Sequence, residues 1–170
     1  MPVLPDLLVP GLDLIVVGTA AGRASAELRQ YYAGRGNKFW RTLHEVGLTP
    51  IQLRPDQYAQ LLDYRIGLTD VAKHASGMDR DLVASDFDAE RLRAAIEAVS
   101  PQAVAFNGKK AASAFFGLPT EEIEHGRQAT GIGPASLWVC SSTSAANGRW
   151  SRESWEELAN SVKRGAGGHA

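Results

Sequence analysis

Short apolar runs alternate along the chain with amphipathic stretches. Asp13–Val17, Ala103–Phe106 and Ser136–Cys140 are β-branched or apolar runs next to Gly, Pro or polar residues, and each predicts a buried strand. Arg65–Val71 is typical of a strand or of a loop. The runs are too short for buried helices, so the chain contains three or four predicted strands.

Between these runs, apolar residues recur at helical spacing. The pattern predicts helices over Asn37–Val46, Pro55–Tyr64, a segment led by Ser85 and Asp88 that ends near Val99, Gly108–Phe116, and Arg152–Lys163 capped by Ser151. Strands that alternate with helices indicate an α/β fold: a single three-layer domain whose central, mostly parallel sheet is flanked by helices. We expect residues 13–164 to form this domain, after a lead at 1–12 and before a flexible tail at 165–170.

Three predicted strands are followed by loops of small and polar residues. The loops are Gly18–Gly22, Asn107–Lys109 and Ser141–Asn147. In parallel α/β sheets, ligands bind at the carboxyl ends of the strands. We therefore expect these three loops to form one site.

Composition adds only weak constraints, whereas the placement of charge is more informative. The chain has 170 residues, 44 % hydrophobic and 22 % charged, with a net charge of −1, as expected of one globular domain. Two stretches are basic: 18–44, with five Lys or Arg against Glu27, and 137–152, with Arg149 and Arg152 and no acid. Two basic patches suit an anionic ligand, although ordinary solvated helix faces give the same pattern.

Several classes of protein are disfavoured. The single cysteine, Cys140, excludes an internal disulfide and lies in an apolar run, which predicts a buried, inert thiol. The first residues contain three prolines and no basic region, unlike a signal peptide, and no apolar run approaches the ~20 residues that span a bilayer. We expect a cytoplasmic protein. No His, Asp or Glu grouping has metal-ligand spacing, so we expect no metal or cofactor.

The first loop resembles a nucleotide-binding loop only in its glycines. Gly18 and Gly22 allow a ligand to approach the backbone, but no Gly-Lys-Ser/Thr closes a phosphate loop and the dinucleotide spacing is absent. Amides of such a loop can bind an anion or a planar heterocycle. Tyr31 and Tyr32 follow, and one of them could offer a flat face to a base, although such pairs are more often core residues.

Several blocks together resemble the uracil-DNA glycosylase superfamily. They are GTAAGRASA from Gly18, YYAGRGNKFW from Tyr31, RIGLTD from Arg65, AFNGK from Ala105 and SSTSAAN from Ser141, in the family's order. The likeness covers about Leu14 to Leu158. It is nearest the thymine-DNA and mismatch-specific uracil-DNA glycosylase branch, with features similar to hypoxanthine-DNA glycosylases.

The resemblance implies an activity and a substrate. It implies a monofunctional glycosylase that flips uracil or another deaminated base out of DNA and hydrolyses its N-glycosidic bond, without a cofactor. Tyr32 would stack on the base, while Gly18, Thr19 and Ala20 would line its pocket. The amide of Asn107 can pair with a pyrimidine edge, although Asn-Gly is also a common turn. We expect a monomer whose partner is damaged DNA.

The chain departs from the family at the residue that holds the attacking water. The thymine branch has an Asn where this chain has Ala20, whose methyl group cannot bind water. Asp70 or Asn37 is then the expected catalytic residue. Asp70 could accept a hydrogen bond from uracil N3–H or orient water, or it could be a turn carboxylate beside Lys73. Asn37 matches an Asn implicated in catalysis in the hypoxanthine branch.

The last loop is rich in hydroxyls and amides that suit DNA phosphates. We expect Ser142, Ser144, Asn147 and Arg149, with Lys109, to contact DNA. The Arg that the thymine branch wedges into the duplex is replaced here by Ala146, so Asn147 or Arg149 would have to take that role. Two alternatives remain: a protein that binds uracil or abasic DNA with little turnover, and a hypoxanthine-preferring glycosylase.

Overall fold

The computed structural model describes residues 2–77 and 86–167. Its strands are β1 (Leu14–Gly18), β2 (Ile66–Asp70), β3 (Ala103–Asn107), β4 (Gly126–Ile132) and β5 (Ala135–Cys140). Its α-helices are α1 (Arg23–Leu28), α2 (Phe39–Glu45), α3 (Ala89–Val99), α4 (Lys109–Phe116) and α5 (Glu153–Gly167), and 3₁₀ helices cover Pro55–Tyr64 and Thr120–Glu122.

The five strands form one sheet in the order β2-β1-β3-β5-β4. All pairs are parallel except β4 with β5, which is antiparallel. The predicted α/β fold with a mostly parallel central sheet is confirmed. The chain leaves β1 for β2 on one side and later enters β3 on the other, so a crevice opens at the carboxyl ends of these strands.

Alternate residues of the strands pack on opposite faces of the sheet, as the period of a strand requires. Val16 and Ala105 belong to a core with α2 and α5, whereas Val17 and Phe106 belong to a second core with α3 and α4. Burial on both faces explains why these strands are continuous apolar runs rather than alternating ones.

The lead packs on the domain, and the last helix is longer than the sequence predicts. Leu4 and Leu12 are 1 % and 3 % exposed, and Leu7 exchanges backbone hydrogen bonds with Leu68 of β2. The lead therefore packs on the domain. At the other end, α5 continues through Gly167, beyond the predicted start of the tail at 165, while 168–170 lie outside the described residues.

The structure corrects three details of the predicted elements. β4 and α1 were not predicted, and Pro55–Tyr64 is a 3₁₀ rather than an α-helix. The side chain of Asp88 accepts a hydrogen bond from the N–H of Arg91 at 3.0 Å and so caps α3, whereas Ser85, the predicted start, lies outside the described residues. Cys140 is buried, as predicted.

Candidate active site

A cleft of about 660 Å³ opens at the carboxyl ends of the strands. It is lined by Leu4, Gly18–Ser25, Tyr31, Tyr32, Gly34, Arg35, Asn37, Asp70, Gly77, Asn107 and Ser142–Asn147. The three strand-end loops therefore meet, as expected. Of the twelve candidate site residues, Lys109 and Arg149 are the two outside this lining.

The floor of the cleft is set by strand register. Gly18, the last residue of β1, pairs with Asp70, the last residue of β2. On its other side, β1 pairs with β3, so Asn107 at the end of β3 flanks the same point. A carboxylate and a carboxamide thus stand on either side of a residue that has no side chain.

Asp70 is a buried acid with a polar environment. Its side chain is 5 % exposed, and its Oδ2 lies 3.5 Å from Nζ of Lys73. Burial raises the pKa of Asp70 to about 6, because desolvation disfavours the carboxylate more than the ammonium of Lys73 favours it. A carboxyl group with a pKa of about 6 is largely ionised at pH 7, and in that form it can accept a proton. Asp70 is thus both a partner of Lys73 and a cleft residue.

Tyr32 combines a strained backbone with an unusual hydroxyl. Its φ is 52°, and its ring stacks on Phe39 with centroids 4.0 Å apart, so one ring face is already covered. The hydroxyl is buried and has no hydrogen-bond partner among the described residues. Burial and then the charge of Asp70 raise the pKa of Tyr32, so this hydroxyl stays protonated and can donate.

The two candidate amides also hold the loops together. Asn107 Nδ2 donates to Oγ1 of Thr143 at 2.9 Å, and Oδ1 accepts from the N–H of Thr143 at 3.0 Å. Oδ1 of Asn37 accepts from the N–H of Phe39, the first residue of α2, at 3.0 Å. Each amide has a structural role, and each keeps hydrogen-bonding positions that these contacts do not use, two in Asn107 and three in Asn37.

Thr19 and Ala20 form the rim next to Gly18. The carbonyl of Thr19 accepts from the N–H of Ala72 at 2.8 Å, so a contact with a base would come from its amide or its hydroxyl. Ala20 lines the cleft with a methyl group, which offers nothing to a water molecule.

The last loop is organised by its own hydroxyls and amide. Ser142 Oγ accepts from the N–H of Ser144, Ser144 Oγ accepts from the N–H of Ala146, and Asn147 Nδ2 donates to the carbonyl of Ser142 at 2.9 Å. Both serine hydroxyls act as acceptors here, so their hydrogens are available to an anion outside the loop.

The basic residues divide into two groups that the sequence did not distinguish. Arg23 and Arg35 line the cleft, although only the local excess of arginine indicated them. Arg152 instead pairs with Glu45 at 3.1 Å and Glu156 at 2.8 Å, and Arg41 also pairs with Glu45. Arg41, one of the basic residues in 18–44, is therefore paired with an acid outside that stretch. Arg152 adds little to a basic patch, because two acids already pair with it.

Comparison with known proteins agrees with this architecture. The family description "Uracil DNA glycosylase superfamily" matches residues 5–163. The chain belongs to this superfamily. A solution NMR structure of a protein from Methanosarcina acetivorans, provisionally assigned as a uracil DNA glycosylase, superposes on this superfamily member with a TM-score of 0.64. The two are 22 % identical, and the match covers 94 % of this chain and 96 % of the other. At that identity the likeness shows the fold.

Two features are absent from residues 2–77 and 86–167. None of the helices there has the length and hydrophobicity needed to cross a bilayer. Within the same ranges, no group of three or more His, Cys, Asp or Glu residues could hold a metal ion.

Proposed function

We propose that this superfamily member is a monofunctional DNA glycosylase that excises a deaminated base, with uracil as the first candidate, and leaves an abasic site. The observation that carries the proposal is the convergence of Asp70, Asn107 and Tyr32 around Gly18 in one cleft. These groups provide a base, an amide that can read a pyrimidine edge, and an aromatic face, which are the elements that excision of a flipped base requires.

In the proposed reaction, water forms a bond to C1′ of the sugar as the bond from C1′ to the base nitrogen breaks. Asp70 accepts a proton from the water, and the electron pair of the broken bond leaves with the base. Asp70 is favoured over Asn37 because Oδ1 of Asn37 already accepts from the N–H of Phe39, whereas Asp70 carries a charge into the cleft. The alternative role of Asp70, accepting from uracil N3–H, is also favoured by an ionised carboxylate.

The absence of a cleft lysine supports hydrolysis by water. Among the described residues that line the cleft there is none, and Lys73 lies behind Asp70 with its ammonium paired. A Schiff base with the sugar would need such an amine within reach of C1′. The assignment to the thymine and mismatch-uracil branch stays a proposal based on the motifs, as do a monomeric state and cytoplasmic location.

A panel of oligonucleotides tests the proposal. Each carries one uracil, hypoxanthine, xanthine, or thymine opposite guanine, in single and double strands, with an undamaged oligonucleotide and Asp70→Asn as controls. We expect uracil-bearing strands to break only after alkali, the mark of an abasic site. Breakage without alkali would contradict a monofunctional mechanism. A retarded band without breakage would favour the second candidate, a binding protein with little turnover, for which Ala20 is the supporting observation.

A further inference from the structure

Behind the cleft, a buried lysine is shared by two acids. The side chain of Lys73 is 5 % exposed, and its Nζ lies 3.1 Å from Oδ1 of Asp6 and 3.5 Å from Oδ2 of Asp70. It also donates to the hydroxyl of Tyr31 at 2.9 Å. The ammonium therefore makes one hydrogen bond and two ion pairs. The contact with Asp70 is the longest of the three, so Asp6 competes with Asp70 for the same cation.

Asp6 is also linked to the backbone of Asp70 through Arg91. Arg91 of α3 donates from Nη1 to Oδ2 of Asp6 at 2.9 Å and from Nη2 to the carbonyl oxygen of Asp70 at 2.7 Å. In addition, the hydroxyl of Thr69 donates to Oδ1 of Asp6 at 2.6 Å. The carboxylate of Asp6 therefore orients the side chain of Thr69, the residue before Asp70. It also orients Lys73 and Arg91, the two cations that contact Asp70.

The lead holds Asp6 in place by contacts on either side. The N–H of Val3 donates to the carbonyl of Lys73 at 2.7 Å, and the hydroxyl of Tyr31 donates to the carbonyl of Pro5 at 2.9 Å. Leu7 and Leu68 exchange hydrogen bonds of 2.9 and 3.0 Å. These bonds fix the chain on both sides of Asp6 against the end of β2.

We propose that Asp6 is a positioning residue for Asp70, acting on its side chain through Lys73 and on its backbone through Arg91. The importance of this contact for excision rests on the proposed function of Asp70. The lead would then be part of the active-site machinery, although it contributes no catalytic group.

The charges that face Asp70 determine the sign of the expected effects. They are Lys73 and Arg91, which favour its carboxylate, and Asp6, which disfavours it, while Tyr31 and Tyr32 are neutral because burial raises their pKa. Asp6→Asn removes the competing charge but keeps an oxygen for Thr69, so it should lower the pKa of Asp70. Lys73→Met should raise this pKa.

The experiment measures the pKa of the Asp70 carboxyl directly, by carbon NMR titration of the full chain, with Asp70→Asn to assign the signal. We expect a downward shift of about 0.5–1 unit in Asp6→Asn, reduced by the partial exposure of Asp6, and an upward shift of about one unit or more in Lys73→Met. Asp13→Asn is the matched control, since Asp13 pairs with Arg65 at the opposite end of β1. It should leave the titration unchanged.

Single-turnover excision of uracil across pH is measured on the same variants. If the acid limb of the rate moves with the carboxyl pKa in opposite directions for the two variants, the inference stands. An unchanged carboxyl pKa in folded Asp6→Asn, or the same shift in Asp13→Asn, would overturn it. If the carboxyl pKa moves and the rate profile does not, Asp6 controls Asp70 as inferred, and the base role of Asp70 is what fails.

Discussion

Asp70 lies so close to Gly18 that any side chain at that position would displace its carboxylate. The two residues are partners in the β1–β2 register, and a Cβ added to Gly18 would stand 2.5 Å from Oδ1 of Asp70. It would also stand 2.9 Å from the hydroxyl of Tyr32. The missing side chain is therefore what allows the Asp70 carboxylate and the Tyr32 hydroxyl both to approach the end of β1.

Gly18→Ala should displace both groups. Because the methyl group collides with buried side chains, we expect a loss of about 1–3 kcal/mol in the free energy of unfolding. Uracil excision should fall at least ~10-fold, the equivalent of about 1.4 kcal/mol in the barrier. Urea unfolding and single-turnover excision measure the two effects. Gly148→Ala is the control for stability, since nothing lies within 4 Å of its added methyl group. Wild-type excision by Gly18→Ala would show that this contact is dispensable.

Asp70→Asn should stabilise the protein above pH 6. The folded-state pKa of Asp70 is raised from 3.8 to about 6, so the ionised carboxylate destabilises the fold once the pH exceeds its value in the unfolded chain. The difference between variant and wild type should grow between pH 4 and 6 and then level off at about 3 kcal/mol at most. Urea unfolding at pH 4, 6 and 8 measures it. A difference that does not change with pH would contradict a raised pKa.

The sequence predicted the central strands well because burial on both faces leaves an unambiguous apolar run. The antiparallel strand β4 could not be found in the same way. Five of its seven residues are exposed or half-buried, and GRQATGI contains no apolar alternation. Helix α1 has six residues and ends at exposed Leu28, so it lacks a helical period.

The cleft residues were predictable for a different reason. Strand-end loops meet wherever parallel strands end at one edge, so Gly18 and Asn107 could be brought together from the sequence, whereas Asp70 was placed with them only through the family resemblance. No such rule connects Asp6 to Lys73 or Arg152 to Glu45, because these ion pairs depend on how distant segments pack. For the same reason the sequence overestimated the basic patch at 137–152, since it could not show that Arg152 is paired with acids.

Tyr32→Ala should slow excision by one to two orders of magnitude. Stacking of a base on an aromatic ring is worth ~1–3 kcal/mol. Phe39 covers one face of the Tyr32 ring, which lines the cleft, so we expect the base on the other face. Tyr32→Phe keeps the ring and is the matched control. Single-turnover excision by both variants, at a temperature where both are folded, tests the role. Normal excision by Tyr32→Ala would refute stacking.

DNA binding should depend on the cleft arginines as well as on Lys109 and Arg149. Reversing Arg23 and Arg35 to Glu should weaken binding to undamaged and uracil-bearing DNA alike, and each lost phosphate contact should reduce the slope of log K against log salt by about 1. Fluorescence anisotropy over a salt series measures both quantities. Arg54→Glu, an exposed arginine outside the cleft lining, is the control. Weakening confined to uracil-bearing DNA would mean that these residues read the base.

The catalytic role of Asp70 can be separated from that of Asn37 by pH. With a pKa of about 6, an Asp70 base should give wild-type excision that falls as pH drops through 6, since the carboxylate is then protonated. Asp70→Asn keeps the shape and should lose this limb together with about 10²–10⁴-fold in rate. The amide of Asn37 does not titrate, so its removal in Asn37→Ala should leave the pH dependence of the rate unchanged. This variant should lower the rate while the midpoint stays near 6, and lose about 1 kcal/mol of stability with the hydrogen bond from the N–H of Phe39.

Single-turnover excision from pH 5 to 8 on these two variants distinguishes the roles, with unfolding measurements to identify any loss that is only structural. A missing acid limb in Asp70→Asn alone would assign the base. If Asn37→Ala abolished the limb instead, the titrating group would act through α2 and the assignment of Asp70 would be wrong. If both variants excise uracil at near wild-type rates, neither residue holds the water. The nucleophile would then be oriented by backbone amides or by the Tyr32 hydroxyl, which has no partner among the described residues.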